Sequence, residues 1–504
     1  MSQFGETIAK AYAVDGVALE LGRGVLEAAV DPAALVQVPL AMTNRHGLIA
    51  GATGTGKTST LRILAEQLSA AGVPVVAADV KGDLSGLANP GPAGGSAEQR
   101  AGELGEPFEP RGFPVEYLSL GGIGPGVPVR ATVSDFGPLL LAKILDANET
   151  QEQSLSLLFH YADAKGLPLL DLADLRSMLT FLDSPEGRAE LKGIGGVSSA
   201  TVGVLLRSLV QLEDGGGNEF FGEPQLDVAD LMRTAPDGRG VISCLELAAV
   251  QDKPRLWSTA LMWLVAELFE TLPEAGDLPK PKLVVFLDEA HLLFTGASKS
   301  FVESIVQTVR LIRSKGVGVF FVTQTPKDLH ADVLAQLGNR VQHALRAYTP
   351  DDAKALKATV STFPKSKLYD LEELLPQLGI GEAVVTILDE RGVPTPVVHT
   401  RIRAPQSRMG PADDVSGAAT ASPLQAKYGA RIDAESAREL LAARLERPSP
   451  LATPPKVEAR HREAARARSG GGDGGIGDFL ASRQGKRIQR EVVRGVFGLL
   501  RKAL

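Results

Sequence analysis

The sequence predicts an α/β fold: a central, mainly parallel β-sheet with helices on both faces. Three observations carry this. Short β-branched runs, GLIAG (47–51), VPVVAADV (73–80), VVFLDEA (284–290) and VGVFFVTQ (317–324), are nearly all apolar, as strands covered on both sides must be. Helical patterns lie between them, notably Thr58–Ala71 and Phe301–Lys315. The glycine-rich stretch joining the first strand to the first of these helices fits a phosphate-binding pattern, which requires that setting.

Taken in chain order, residues 1–40 read as a small β-rich lead-in, and residues 41–136 with 235–404 as the sheet-bearing core. Between the two parts of the core, residues 137–234 are mostly helix-like (LLLAKILDA, QSLSLLFHYADA, ATVGVLLRSLVQL) and read as a helical insertion. Composition shifts after Ala404. Residues 405–477 carry PQSRMGPADDVSGAATASP, RPSPLATPPK and SGGGDGGIGD, linker compositions expected to be partly disordered. In residues 478–504, Ile488, Val492, Val493, Val496, Phe497 and Leu500 recur at helical spacing among Arg483, Lys486, Arg487, Arg490, Arg494, Arg501 and Lys502. A basic amphipathic helix on a flexible tether is expected there, suited to docking on its own body or a neighbouring subunit, to DNA, or to an acidic membrane surface.

The chain has 504 residues, 44% hydrophobic and 22% charged, enough for roughly three domains with real cores. With 53 Lys+Arg against 60 Asp+Glu its net charge is -7, which excludes a protein basic all over but leaves room for a local basic channel. The single cysteine, Cys244, forbids an internal disulfide and a cysteine metal cage and fits the reducing cytosol. The seven histidines show no paired metal-binding spacing. The N-terminus lacks the basic and apolar regions of a signal peptide, and the longest apolar region, Leu256–Leu272, is broken by Glu267 and Glu270 and is too short for an integral membrane segment. A cytoplasmic protein is expected.

The strongest chemical signal is Gly51-Ala52-Thr53-Gly54-Thr55-Gly56-Lys57-Thr58, a full G-x-x-x-x-G-K-[ST] (Walker A) match, continued by Ser59 into the helix. Such a loop wraps phosphate oxygens with backbone N–H groups at a helix N-terminus, where the helix dipole also favours negative charge. Lys57 is the counter-charge to the β and γ phosphates, and the Thr58 hydroxyl is the Mg²⁺ ligand. A second strand must supply an acid beside the loop, and Leu283–Leu287 ends in Asp288 and Glu289, candidates for the metal shell and for the general base that orients water. An Asp-Glu pair at a strand end is otherwise a solvated turn, and His291, which would open a helix, reads as a cap or packing residue rather than as chemistry.

Gln324, where the last strand meets its loop, could reach the γ-phosphate or the lytic water. Arg310 and Arg313 lie i and i+3 on one helix. The plain reading of each is a surface ion pair; Arg313, next to the turn, is the candidate for a guanidinium acting across a subunit interface. Asp79, Lys81 and Asp83 follow the second strand on the same sheet edge and fit either the site or a polar turn.

In order, NRHGLIAGATGTGKTST, AADVKGDLSGL, VVFLDEAHLLF, IRSKGVGVFFVTQTPKDL and LGNRVQHALRA resemble the HerA and FtsK group of P-loop motor ATPases, and more narrowly the bacterial HerA-like helicase-domain proteins. The resemblance covers about residues 10–400 and, through FLASRQGKRIQREVVRGVFG, the C-terminus. It implies a RecA-like core, ATP hydrolysis with Mg²⁺, a hexameric ring of identical subunits, and DNA through its centre. Residue by residue it matches Lys57 and Thr58 to the family's phosphate-loop pair and Asp288 with Glu289 to its metal and water acids. Gln324 matches the sensor of its S/T-Q-x-P motif, and Arg313 the arginine that completes a neighbour's site. One departure concerns partners: the opening forty residues are too short for the β-barrel that precedes the motor in archaeal members, so docking of a nuclease or other protein through such a barrel is not implied. The tail also differs from the winged-helix module of cell-division translocases, and sequence-specific loading is not expected.

The expected function is thus an ATP-hydrolysing ring motor, a DNA translocase or helicase. The alternative is a nucleotide-dependent switch or protein-handling ATPase that ignores DNA, which the acidic balance and the insertion permit. The long interval between the two nucleotide motifs, residues 59–287, argues against a compact small-molecule kinase.

Overall fold

The structure is a computed structural model and describes residues 2–276 and 278–446. Twelve strands form one sheet: β1 Ala18–Leu26, β2 Ala29–Pro39, β3 Gly47–Ala50, β4 Val75–Asp79, β5 Val115–Leu120, β6 Val127–Val129, β7 Ile242–Glu246, β8 Leu283–Leu287, β9 Val317–Thr323, β10 Asn339–Gln342, β11 Glu382–Thr386 and β12 Val398–Ile402. Their order is β2-β1-β12-β11-β10-β3-β9-β8-β4-β7-β5-β6. From β10 to β6 every neighbouring pair is parallel, whereas β2, β1, β12, β11 and β10 pair antiparallel.

The central strands show why they read as unbroken apolar runs. Ile49, Val75, Ala77, Val284, Phe286, Phe320 and Val322 belong to one core with the helix Lys57–Ala70 and with β1 and β2. Their sequence neighbours Leu48, Ala50, Val76, Ala78, Val285, Leu287, Val319 and Phe321 belong to the core on the opposite face, packed under Pro254–Thr271, Lys299–Ile312 and the helices of the insertion. Alternate side chains thus enter two different cores, and both faces are covered. The apolar stretch around Leu256 is the helix Pro254–Thr271, buried nearly all round, and among the described residues no helix is long and apolar enough to cross a membrane.

Two stretches differ from the sequence expectation. The opening forty residues begin with a helix, Gln3–Ala11, capped by Ser2, and their two strands extend the core sheet, with β1 pairing to β12. Residues 405–446, expected as linker, pack onto the body. Ser407 and Tyr428 are buried, and the helix Ala437–Glu446 inserts Ala437 and Leu441 into the insertion-side core. Arg62 donates Nη1 to the Ser407 hydroxyl at 3.0 Å and to the Arg408 carbonyl at 2.7 Å, while Glu66 accepts the Gln406 and Ser407 N–H groups at 2.8 and 2.9 Å. A few well-placed contacts, invisible to composition, hold this stretch. The amphipathic helix expected at 478–504, and the remainder of the linker, lie outside the described residues.

Candidate functional site

β3 ends at Ala50, and the chain turns through Gly51–Gly56 into the helix Lys57–Ala70, whose N-terminus has no side-chain cap among the described residues, which leaves its first N–H groups to an external anion. Glycine is required twice. Gly51 has φ +153° and an added Cβ would lie 2.5 Å from His343 Cβ; Gly56 has φ +118° and its Cβ would press on Gly381 at 3.2 Å. Lys57 is buried and folds back on the loop, Nζ donating to the Gly51 carbonyl at 2.6 Å and to that of Ala52 at 3.2 Å. Burial, then the nearby Lys81, push its pKa down, against Glu289 and Asp288. Thr58 and Ser59 are half-buried, and Thr53 and Gly54 are exposed at the tip.

His343, one residue beyond β10, supports the loop. Its Nδ1 lies 2.8 Å from the Glu382 carbonyl and its Nε2 2.9 Å from Thr60 Oγ1. Burial lowers its pKa to about 4, so the ring is neutral. A carbonyl can only accept, so Nδ1 carries the proton and Nε2 accepts from the threonine. This histidine has no metal or catalytic spacing in the sequence, where it stands only within LGNRVQHALRA, one of the stretches that carry the resemblance.

The parallel register aligns the strand ends. Ala50 pairs with Thr323, and Leu287 with Phe321, so β9 stands between the phosphate-loop strand and the acid strand. Asp288 is buried just past β8, and its Oδ1 accepts the Glu289 N–H at 2.8 Å. Burial, then the Glu289 charge, push its pKa up to about 6. Glu289 itself has φ +47°, a strained conformation for a non-glycine residue. One of its oxygens lies 3.0 Å from Lys81 Nζ, and the other, Oε2, is buried without a hydrogen bond among the described residues, 3.5 Å from His291 Nδ1. His291 lies in a 3₁₀ turn, Ala290–Leu293, beside this carboxylate instead of opening an α-helix.

Of the DVKGD group, Lys81 joins the site. Burial works against its ammonium, but Glu289 and Asp288 outweigh this and hold its pKa above the ordinary lysine value. Asp79 is used up in shaping the turn: Oδ1 accepts the N–H groups of Gly82 and Asp83 at 2.7 and 3.0 Å, and Oδ2 those of Leu84 and Ser85 at 2.8 and 3.2 Å. Asp83 contributes its carbonyl to Arg62. Gln324 is exposed one residue past β9, on the same sheet edge between the loop and Asp288. Arg313 is elsewhere. It is half-buried in the turn Arg313–Lys315, which precedes β9 and so lies at the other edge of the sheet; seven strand residues put roughly 20 Å between the two edges. Arg310 is exposed on the preceding helix.

A family model described as Helicase HerA-like C-terminal matches residues 26–502. The chain belongs to that family. This HerA-like chain is 32% identical over 125 residues to "Probable helicase MJECL08" of Methanocaldococcus jannaschii, and 34% identical over 107 residues to the same organism's "Probable DNA double-strand break repair helicase HerA". These matches take in 24% and 21% of this chain, and the chain spans only 22% and 20% of the two relatives. Among solved structures it is similar to the plasmid coupling protein TrwB in complex with a non-hydrolysable ATP analogue (TM-score 0.52, 16% identity, 80% of this chain and 94% of that one). It is also similar to TrwB in complex with ADP and Mg²⁺ (TM-score 0.51, 15% identity, 80% and 92%). At such identity the likeness establishes the fold alone, a RecA-like P-loop core.

Proposed function

We propose that this chain is the subunit of an ATP-hydrolysing ring motor, a DNA translocase or helicase of the HerA-like type. The observation that carries it is the gathering of Lys57, Thr58, Asp288, Glu289 and Gln324 at one sheet edge while Arg313 stands at the other. A single subunit then holds all but one part of a hydrolytic site, and a ring of like subunits is how the missing guanidinium arrives. The names of the relatives and the nucleotides and Mg²⁺ bound in the TrwB structures support the choice of ATP, Mg²⁺ and DNA.

In the proposed reaction the loop N–H groups and Lys57 take the β and γ phosphates, Lys57 leaving the Gly51 and Ala52 carbonyls to do so. Thr58 and Asp288 offer hydroxyl and carboxylate oxygens, a hard donor set that fits Mg²⁺, which when bound neutralises charge on the phosphates. Glu289 orients the attacking water and takes its proton through Oε2, the oxygen without a hydrogen-bond partner among the described residues. Gln324 directs its amide at the γ-phosphate or the water, and Arg313 of one subunit stabilises the transition-state charge in the next.

The test is steady-state ATP hydrolysis with Mg²⁺ at low and moderate salt, without DNA, with single strands and with duplex, using Glu289→Gln as blank. Stimulation by one form of DNA, weakened by salt as counterion release requires, is expected. Hydrolysis indifferent to every DNA form would replace this reading by the protein-handling switch.

A further inference from the structure

The phosphate loop has two flanks. On one, β9 and β8 bring Gln324, Asp288 and Glu289; on the other, β10 and β11 bring His343 and the turn Gly379-Ile380-Gly381. If the γ-phosphate is taken toward the acids, as proposed above, the base would leave over the second flank.

That flank is firmly built. The Gly381 N–H donates to the Thr55 carbonyl, inside the phosphate loop, at 3.0 Å. Arg100, on the helix Ser96–Glu103, donates Nη1 to the Gly381 and Ile402 carbonyls, both at 3.1 Å, and Nη2 to the Ile380 carbonyl at 3.3 Å. Glu382 accepts the Gly379 N–H at 2.8 Å and Arg401 Nη1 at 3.0 Å, and its own N–H returns to the Gly379 carbonyl at 3.1 Å. The three carbonyls of the turn and two of its N–H groups are therefore engaged within the protein. What faces outward is the side chain of Ile380, a large aliphatic group 71% exposed on an otherwise braced turn. Telling adenine from guanine requires a donor or acceptor aimed at the base edge, and a flat hydrocarbon contact supplies neither.

We propose that Ile380 is the base-contacting residue of the nucleotide site, covering the purine face without reading its edge, so that adenine and guanine nucleotides are accepted alike. This rests on the nucleotide-binding reading above. The experiment is isothermal titration of the full chain with ATP, GTP and inorganic tripolyphosphate in Mg²⁺, for the wild type, Ile380→Asp, Ile380→Leu and Lys57→Ala. Expected are ATP and GTP affinities within about three-fold of each other, both weakened about ten-fold in Ile380→Asp, restored in Ile380→Leu, with tripolyphosphate unaffected by either change. A wild type that prefers one purine by more than about thirty-fold, or an Ile380→Asp variant that binds both as tightly as wild type, would overturn the proposal while leaving the phosphate loop in place. If instead none of the three ligands binds and Lys57→Ala alters nothing, the nucleotide reading itself falls.

Discussion

Glu289 combines three features that suit the hydrolytic role proposed for it: a left-handed backbone, an ion pair to Lys81 through one oxygen, and a second oxygen without a hydrogen bond among the described residues. Strain of that kind costs about 1–3 kcal/mol and persists where surrounding contacts over-determine it. Glu289→Gln keeps the size of the side chain and removes the proton acceptor, so nucleotide affinity should stay within about three-fold while turnover falls by at least about a hundred-fold. Normal turnover in that variant would take Glu289 out of the chemistry. Lys57→Ala acts earlier, deleting the buried ammonium that the loop carbonyls hold in readiness, and should abolish binding in the same titration. These residues were legible in the sequence because the phosphate loop fixes every position by a backbone or charge requirement. Lys81 was half legible, since a strand-end lysine is equally a turn residue. His343 was not, because its partners, Thr60 and the Glu382 carbonyl, are distant in sequence and meet only in the folded sheet.

At the level of strands and helices, the four central strands announced themselves by continuous apolar runs, each feeding two cores. β12 did not, because its positions alternate between buried and half-buried: it reads Val398, His399, Thr400, Arg401, Ile402 and resembles a polar loop. Residues 405–446 look like linker by composition for a related cause, their packing depending on isolated positions such as Tyr428 and Leu441 rather than on hydrophobic density. The sheet also carries a pH signature. His46 accepts the Val319 N–H on Nδ1 at 3.0 Å, and burial lowers its pKa, like that of His343, from 6.5 to about 4. Between those values the unfolded chain binds protons that the folded chain excludes. Their contribution is complete above pH 6.5 and is lost as pH falls toward 4, at up to about 1.4 kcal/mol per pH unit for each histidine. His46→Asn, which removes the titrating ring and leaves an L-residue at the same backbone position, should lose less stability than wild type between pH 7 and pH 5 in urea titrations. Equal losses would show that His46 is not a source of the dependence.

For the whole molecule, catalysis in the proposed ring is a property of the assembly, because Arg313 stands at the sheet edge away from the phosphate loop. Arg313→Ala should bind ATP almost normally yet hydrolyse it at least about a hundred-fold more slowly. Mixing it with Lys57→Ala subunits should restore part of the activity, since some junctions then pair an intact loop with an intact arginine. No rescue at any mixing ratio would end the cross-subunit reading. A different dependence runs through the strap that follows β12. Arg62 and Glu66 sit on the very helix that begins with Lys57, both almost wholly enclosed, and their hydrogen bonds are made largely by residues 406–408. A chain cut after Ala404, where composition invites the knife, would strip Arg62 and Glu66 of these contacts and open them to water, loosening the helix that carries Lys57. Limited digestion in that stretch should therefore silence the enzyme by melting its phosphate-binding helix, with every residue of the hydrolytic site still present.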